Sequence, residues 1–321
     1  MNSDNRIDIS VVIPVYTEVE SLREICDQFE THVLPGIHYE IVFVNDGNLN
    51  NRVWTELKTI SKRKSVRVIH LSRNFGQHTA IAAGLKNSRG AYVIVMDADL
   101  QYLPKDCLRM VDKAREDNLG AVLSIIPDGK HSRFKGVTSR AFYWIMRKLG
   151  VPQRSNMGST FVVSRHVAQG LCRMGDRYRH TIPMVLWLCG EIAYLEIPHY
   201  PRRFGASGYS MKKLVSHAIT GITSFSAQPL YISLILAFVF AFISLSAIGV
   251  LLVSIFLFHK NYLAGWSSTI VTVLFCSATI LTCVGIMGLY LARVFEFTKG
   301  RPLYYVQGES SGEALLFEDQ D

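Results

Sequence analysis

Ala91-Tyr92-Val93-Ile94-Val95-Met96-Asp97-Ala98-Asp99-Leu100-Gln101 is an apolar run that ends in two carboxylates one residue apart and a carboxamide. A continuous apolar run of this length, rich in β-branched residues, marks a strand buried on both faces, as in a parallel sheet. Three similar runs precede it, at residues 9–15, 39–44 and 66–71. Helical spacing over 19–32, 53–61 and 78–87 separates them. Strand and helix in alternation predict an α/β fold, a mainly parallel sheet with helices on both faces. In open sheets of this kind, ligands sit beyond the carboxyl ends of the strands.

Acidic residues fall at those ends: Glu18 after the first strand, Asp46 after the second, Asp97 and Asp99 after the fourth. Carboxylates converging on one edge repel each other, and a divalent cation relieves that repulsion. No GxGxxG follows the first strand and no GxxxxGK[ST] occurs, which argues against a dinucleotide fold and a P-loop. The net charge of +8 suits an anionic partner. With no zinc-finger spacing and no RNA-recognition signature, nucleic acid is not expected. The six cysteines form no CxxC pair, so they read as free thiols in a reducing compartment. Residues 1–8 are polar, and no secretory signal is expected.

Composition changes near residue 210. Between 214 and 292, Lys260 is the one Lys, Arg, Asp or Glu. A span needs roughly 20 apolar residues, and about 232–258 and 268–291 each reach that length. The short connector makes them a hairpin. Arg202, Arg203, Lys212 and Lys213 precede it, and Arg293, Lys299 and Arg301 follow it. The positive-inside rule then places both termini in the cytoplasm. Tyr231, Tyr262 and Trp266 suit the membrane interface. Residues 210–229 carry apolar positions at three- and four-residue steps after Met211, Lys212 and Lys213, so an amphipathic helix on the membrane surface is expected. A helix packed on the soluble domain stays open. Gln228-Pro229 is expected to break it before the span. The resulting division is 1–209, 210–229, 230–293 and a tail at 294–321.

Val11-Val12-Ile13-Pro14-Val15-Tyr16-Thr17-Glu18, Val44-Asn45-Asp46-Gly47, Arg73-Asn74-Phe75-Gly76-Gln77 and Met96-Asp97-Ala98-Asp99-Leu100-Gln101 stand in the order of the motifs of family-two glycosyltransferases. With the C-terminal hairpin, the chain resembles the bacterial polyprenyl-phosphate glycosyltransferases: the bactoprenol glucosyltransferases and the undecaprenyl-phosphate formamidoarabinose transferases, with dolichyl-phosphate mannose synthase a wider relative. The resemblance implies a Rossmann-like GT-A domain that uses a nucleotide-sugar, of which a UDP-sugar is favoured over GDP. The acceptor it implies is undecaprenyl or another polyprenyl phosphate, at the inner membrane, for cell-envelope or lipopolysaccharide glycans. It implies that Pro14, Tyr16, Glu18, Asp46 and Asp97 line the nucleotide pocket, and that Asp99 and Gln101 hold Mg²⁺ or Mn²⁺. Asp97 and Asp99 carry the catalytic assignment. Arg133, Lys135 and Arg140, then Arg202, Ser207 and Tyr209, are implied in binding acceptor phosphate and the membrane-facing acceptor.

Two positions depart from the family pattern. Gly208 stands where a Lys is usual, and Ser159 where an Asp is usual. A phosphomonoester is already largely ionised near pH 7, with a second pKa of roughly 6, and does not need a strong base. The alternative is a member of altered or lost activity that serves as a binding partner of a flippase or a second transferase. A polysaccharide synthase is disfavoured, because no Trp follows an Arg. Small residues in the spans (Ser244, Ala247, Gly249, Gly285 and Gly288) permit close helix packing, and relatives assemble, so a homo-oligomer is expected.

Overall fold

The computed structural model describes residues 7–127, 148, 156–174, 180–201, 222–223, 226–258, 265–311 and 314–316. Contacts divide the chain into two compact units, one of which holds both long apolar helices.

The other unit is built on a nine-stranded sheet. Its strands are β1 (Ile9–Val15), β2 (Tyr39–Asn45), β3 (Val66–Leu71), β4 (Tyr92–Val95), β5 (Ala121–Ile125), β6 (Met157–Ser164), β7 (Ile192–Glu196), β8 (Val306–Ser311) and β9 (Ala314–Leu316). The order across the sheet is β7-β5-β6-β4-β1-β2-β3-β8-β9. The centre, β4-β1-β2-β3, is parallel, as the apolar runs predict. β6 and β8 run antiparallel to their neighbours. The helices are α1 (Leu22–His32), α2 (Asn51–Ile60), α3 (Gln77–Asn87), α4 (Pro104–Glu116), α5 (Arg165–Arg173) and α6 (Thr181–Leu188).

Alternate strand residues face opposite sides. Val11, Ile13, Ile41 and Phe43 share one core with Leu22, Ile25 and Phe29 of α1, Leu57 of α2 and Met110 of α4. Val12 and Val44 face α3, where a Cβ on Gly84 would stand 2.2 Å from a Val12 methyl. The apolar runs are therefore buried on both faces by helices, which is the doubly covered layer expected from the sequence. Parallel register brings the carboxyl ends of β1, β2 and β4 to one edge.

The segment expected as a tail is more than that. Val306–Ser311 pairs with β3 and covers what would otherwise be the bare edge of the parallel sheet. Arg67 on β3 donates to Glu309 of the new strand at 2.7 Å and to Glu40 of β2 at 2.8 Å. A strand reading Val-Gln-Gly-Glu-Ser-Ser has no apolar run, so periodicity gave no sign of it.

His70 packs in the same region. The Asn45 carboxamide takes N–H of Asn48 on Oδ1 and donates to its carbonyl through Nδ2, which fixes the amide orientation. Nδ2 then faces Nδ1 of His70 at 3.4 Å, and Nε2 of His70 lies 3.3 Å from Ser310 Oγ. Nδ1 is thus the acceptor, and the ring is neutral. Burial pushes its pKa down to about 4. The unfolded chain, with a His pKa of about 6.5, binds the extra proton between these values. Stability should therefore rise with pH from about 4 to about 6.5, by up to about 3 kcal/mol. Unfolding profiles of wild type and His70→Asn measured across pH 4–7 check this, and the variant should lose that part of the slope.

The second unit contains α7 (Gln228–Phe258) and α8 (Trp266–Thr298). Pro229 lies in the first turn of α7, where its missing N–H costs nothing, so the helix starts at the residue pair expected to end the preceding one. Windows of the two helices reach mean hydropathy 2.4 and 2.0. Leu236, Phe238, Phe242, Leu245, Leu274, Leu281 and Leu291 are exposed. Helices that are apolar all round and yet uncovered by protein are long and apolar enough to cross a bilayer. Phe240 meets Phe275 edge-on at 5.2 Å, and Tyr290 donates its hydroxyl to Ser226 O at 2.6 Å, so the pair is an antiparallel hairpin. The expected surface helix at 210–229 lies almost wholly outside the described residues.

Candidate active site

The carboxyl edge of the parallel strands forms a cavity of about 500 Å³. Strand β1 delivers Pro14, Tyr16 and Glu18 to its wall. Tyr16 is exposed, its ring free to stack on a planar ligand. Its carbonyl accepts from the Asn48 side chain, which ties the β1 loop to the β2 turn.

Strand β2 ends in the buried carboxylate of Asp46. Its Oδ1 accepts from Phe75 N at 2.7 Å and its Oδ2 from Gly76 N at 2.9 Å. Burial raises its pKa, and these two amides act against the rise. Asp46 thus clamps the loop that leads into α3. The close approach explains Gly47, which has φ +68° and would place a Cβ 2.0 Å from the Arg73 carbonyl carbon. Arg73 does not line the cavity: its guanidinium lies 4.4 Å from the centre of the Phe75 ring.

The register of β4 and β6 builds the next wall. Val95 pairs with Phe161 in antiparallel sense, so Ser159 falls opposite Asp97 two residues beyond. Ser159 Oγ donates to Asp97 Oδ2 at 2.7 Å. From the other side, Gln77, the first residue of α3, donates Nε2 to Asp97 Oδ1 at 2.6 Å. Asp99 is 5% exposed, and its Oδ1 accepts from Gln101 N at 3.1 Å across Leu100, which has φ +56°. The turn buries Leu100 and sets Asp99 and Gln101 on the cavity wall. The Gln101 carboxamide gives its N–H to Tyr200 O at 3.4 Å, which leaves its oxygen as the group able to ligate.

The cavity wall contains Glu18, Asp46, Asp97 and Asp99 and, among the described residues, no Lys or Arg. The described residues contain no cluster of three His, Cys, Asp or Glu side chains arranged for a metal. What is present is the carboxylate of Asp99 and the amide oxygen of Gln101 on one wall, with a second carboxylate, Asp97, that accepts from Gln77 and Ser159. That donor set fits Mg²⁺ or Mn²⁺, which takes one or two carboxylates and completes its shell with water and substrate phosphate.

The description of glycosyltransferase family 2 matches residues 10–177. The chain belongs to this family. It is a glycosyltransferase with the GT-A sheet. A glycosyltransferase of Bacillus subtilis, YkcC, is 31% identical over 98% of this chain and 98% of its own. The glycosyltransferase sll0501 of Synechocystis is 30% identical over 94% of this chain and 95% of its own. The undecaprenyl-phosphate 4-deoxy-4-formamido-L-arabinose transferase of Yersinia pestis is 28% identical over 93% and 92%. Among solved structures, the glucosyl-3-phosphoglycerate synthase of Mycobacterium tuberculosis superposes with TM-score 0.49 at 15% identity, over 68% of this chain and 78% of that one.

The structure brings Pro14, Tyr16, Glu18, Asp46, Asp97, Asp99, Gln101 and Ser159 to one cavity. Arg133, Lys135, Arg140, Arg202, Ser207, Gly208 and Tyr209 lie outside the described residues. Asn74 and His78 also line the wall, and sequence reading gave neither a ligand-facing place. His78 is the second residue of α3, and its Nδ1 lies 3.1 Å from Thr181 Oγ1. The signal for Asn74 and His78 was proximity in sequence to a motif at the carboxyl end of β3.

Proposed function

We propose that this glycosyltransferase moves a sugar from a nucleoside-diphosphate donor, a UDP-sugar, to a polyprenyl phosphate at the cytoplasmic face of a membrane, with inversion and with Mg²⁺ or Mn²⁺. The observation that carries the reading is an acidic cavity at the carboxyl edge of a GT-A sheet, in a chain with two helices able to span a bilayer. A diphosphate entering a wall of carboxylates is repelled unless a cation comes with it. Asp99 and Gln101 would hold that cation, which when bound offsets the charge that builds on the leaving diphosphate. Tyr16 and Pro14 would flank the base, and Asp97 would receive hydroxyls of the nucleoside. The acceptor follows from the named activity of the Yersinia relative, from the paired spans, and from the basic residues on both sides of the hairpin. An acceptor phosphate that is already ionised attacks without losing a proton in the step. A Ser at position 159 is therefore compatible with turnover, and alignment of the two substrates supplies the rate.

Purified chain in detergent, given undecaprenyl phosphate, Mn²⁺ and a panel of radiolabelled UDP- and GDP-sugars, should yield an organic-soluble labelled lipid with at least one UDP-sugar. No such lipid with any donor, beside an active relative assayed in parallel, would overturn the reading.

A further inference from the structure

We propose that β8, the first strand after the second apolar helix, is a positioning element of the donor cavity: it holds the loop between β3 and α3, and an occupied cavity holds it in turn. The inference rests on the donor reading above and adds to it a segment remote in sequence. Ser72, Arg73 and Asn74 of that loop are exposed, so the core does not hold them, yet Asn74 and Gly76 line the cavity. Backbone contacts place the loop instead. At its end, Phe75 N and Gly76 N donate to Asp46. In its middle, Arg73 lies against Gly47, where a Cβ would meet the Arg73 carbonyl carbon at 2.0 Å. At its start, Ser72 N donates to Tyr305 O at 3.0 Å.

The third anchor exists because the ladder is irregular. His70 pairs with Gly308 but Leu71 with Val306, so the antiparallel pairing steps over Gln307. An extra residue of this kind re-aims a strand. Here the step brings Tyr305 opposite Ser72, just beyond the end of β3. In an unbroken ladder Val306 would stand there. Behind the step, β8 is fastened to the sheet by Arg67 to Glu309 at 2.7 Å and by the His70 ring against buried Ser310 at 3.3 Å. Among the described residues, none from β8 lines the cavity. Any effect of the strand on the donor therefore passes through the loop at Ser72–Gly76. An exposed loop with little packing opens readily, and each anchor limits that opening. If release of β8 weakens the donor by some factor, the donor opposes release by the same factor, because coupling between two equilibria is reciprocal. A strand that merely closes the edge of a sheet has no such coupling.

The test follows hydrogen exchange in the full chain in detergent, in MnCl₂ without nucleotide and in MnCl₂ with saturating UDP. The amides of Val306–Ser311 are compared with those of Met110–Glu116 at the far end of α4. In parallel, calorimetry gives the UDP affinity of wild type and of a chain ending at Arg301, which keeps both long apolar helices and loses β8. UDP is expected to slow exchange in β8 about 5- to 20-fold, and at the end of α4 by less than about twofold. The shortened chain should bind UDP more weakly by the same factor that UDP slows β8. If the shortened chain does not fold, exchange in wild type decides alone. Equal exchange in β8 with and without UDP overturns the proposal. So does slowing no greater than at the end of α4, which would mean general stabilisation, and so does a folded shortened chain with wild-type affinity. In each of those cases UDP still binds to wild type, so the donor reading stands and this inference falls. If wild type binds neither UDP nor GDP at any Mn²⁺ concentration, the donor reading falls and the inference with it.

Discussion

Asp99→Asn is expected to lower sugar transfer by about three orders of magnitude while the protein stays folded. A bound divalent cation supplies several kcal/mol of charge stabilisation, and about 4 kcal/mol corresponds to about a thousandfold in rate. Asparagine matches aspartate in shape, and its oxygen can still accept the Gln101 amide that closes the turn over Leu100. What it loses is the negative charge, and with it the stronger of the two ligands proposed for the cation, the other being a neutral carboxamide. Gln101→Ala should cost less, about ten- to a hundredfold, because water replaces a neutral ligand. Turnover with radiolabelled donor across a Mn²⁺ titration checks both. Asp99→Asn should fail to recover at high Mn²⁺, whereas Gln101→Ala should recover in part. An Asp99→Asn variant with wild-type turnover would remove this carboxylate from the reaction and leave the cation without its main ligand.

The sequence disclosed the centre of the fold and missed its margins, for a physical reason. β1 to β4 are buried on both faces, so burial writes each of them as an uninterrupted apolar run. Their carboxyl ends point to the candidate site because four carboxylates gather at one edge, where they repel one another without a cation. β8 left no trace, since it meets the sheet at an edge and its residues answer to Arg67 and His70 rather than to a core. The site shows the same contrast. Asp97, Asp99 and Gln101 sit in one short motif and could be picked out together. That Gln77 and Ser159 both reach Asp97 depends on the antiparallel register of β4 and β6 and on where α3 begins, and neither is written in a local pattern. Ser159 read as a missing acid; in the structure it is a donor to the acid that remains.

Arg67→Met should be strongly damaging although remote from the cavity, with a loss of about 3 kcal/mol or more. Arg67 lies near the amino ends of the parallel strands, the edge opposite the site. It is 8% exposed and donates to Glu40 at 2.8 Å, to Glu309 at 2.7 Å and to Asn87 O at 3.0 Å. Glu40 is itself buried, and its other oxygen takes Ser10 Oγ at 2.6 Å and Arg89 N at 2.7 Å. The pair is not a large net source of stability, because burying two ions costs much of what their attraction returns. Removing one partner is different: Glu40 then keeps its charge in a site with two neutral donors and no cation. The loss of about 3 kcal/mol should lower the unfolding temperature of the chain in detergent by about 10 °C. Arg67→Met combined with Glu40→Gln removes the stranded charge yet keeps an acceptor for Ser10 and Arg89, so it should regain a good part of that drop. Glu309→Gln, at the half-buried end of the network, should cost less than Arg67→Met and act on the seam between β3 and β8. If the double variant is no better than Arg67→Met, the damage comes from lost packing of the guanidinium stem and not from an unpaired carboxylate.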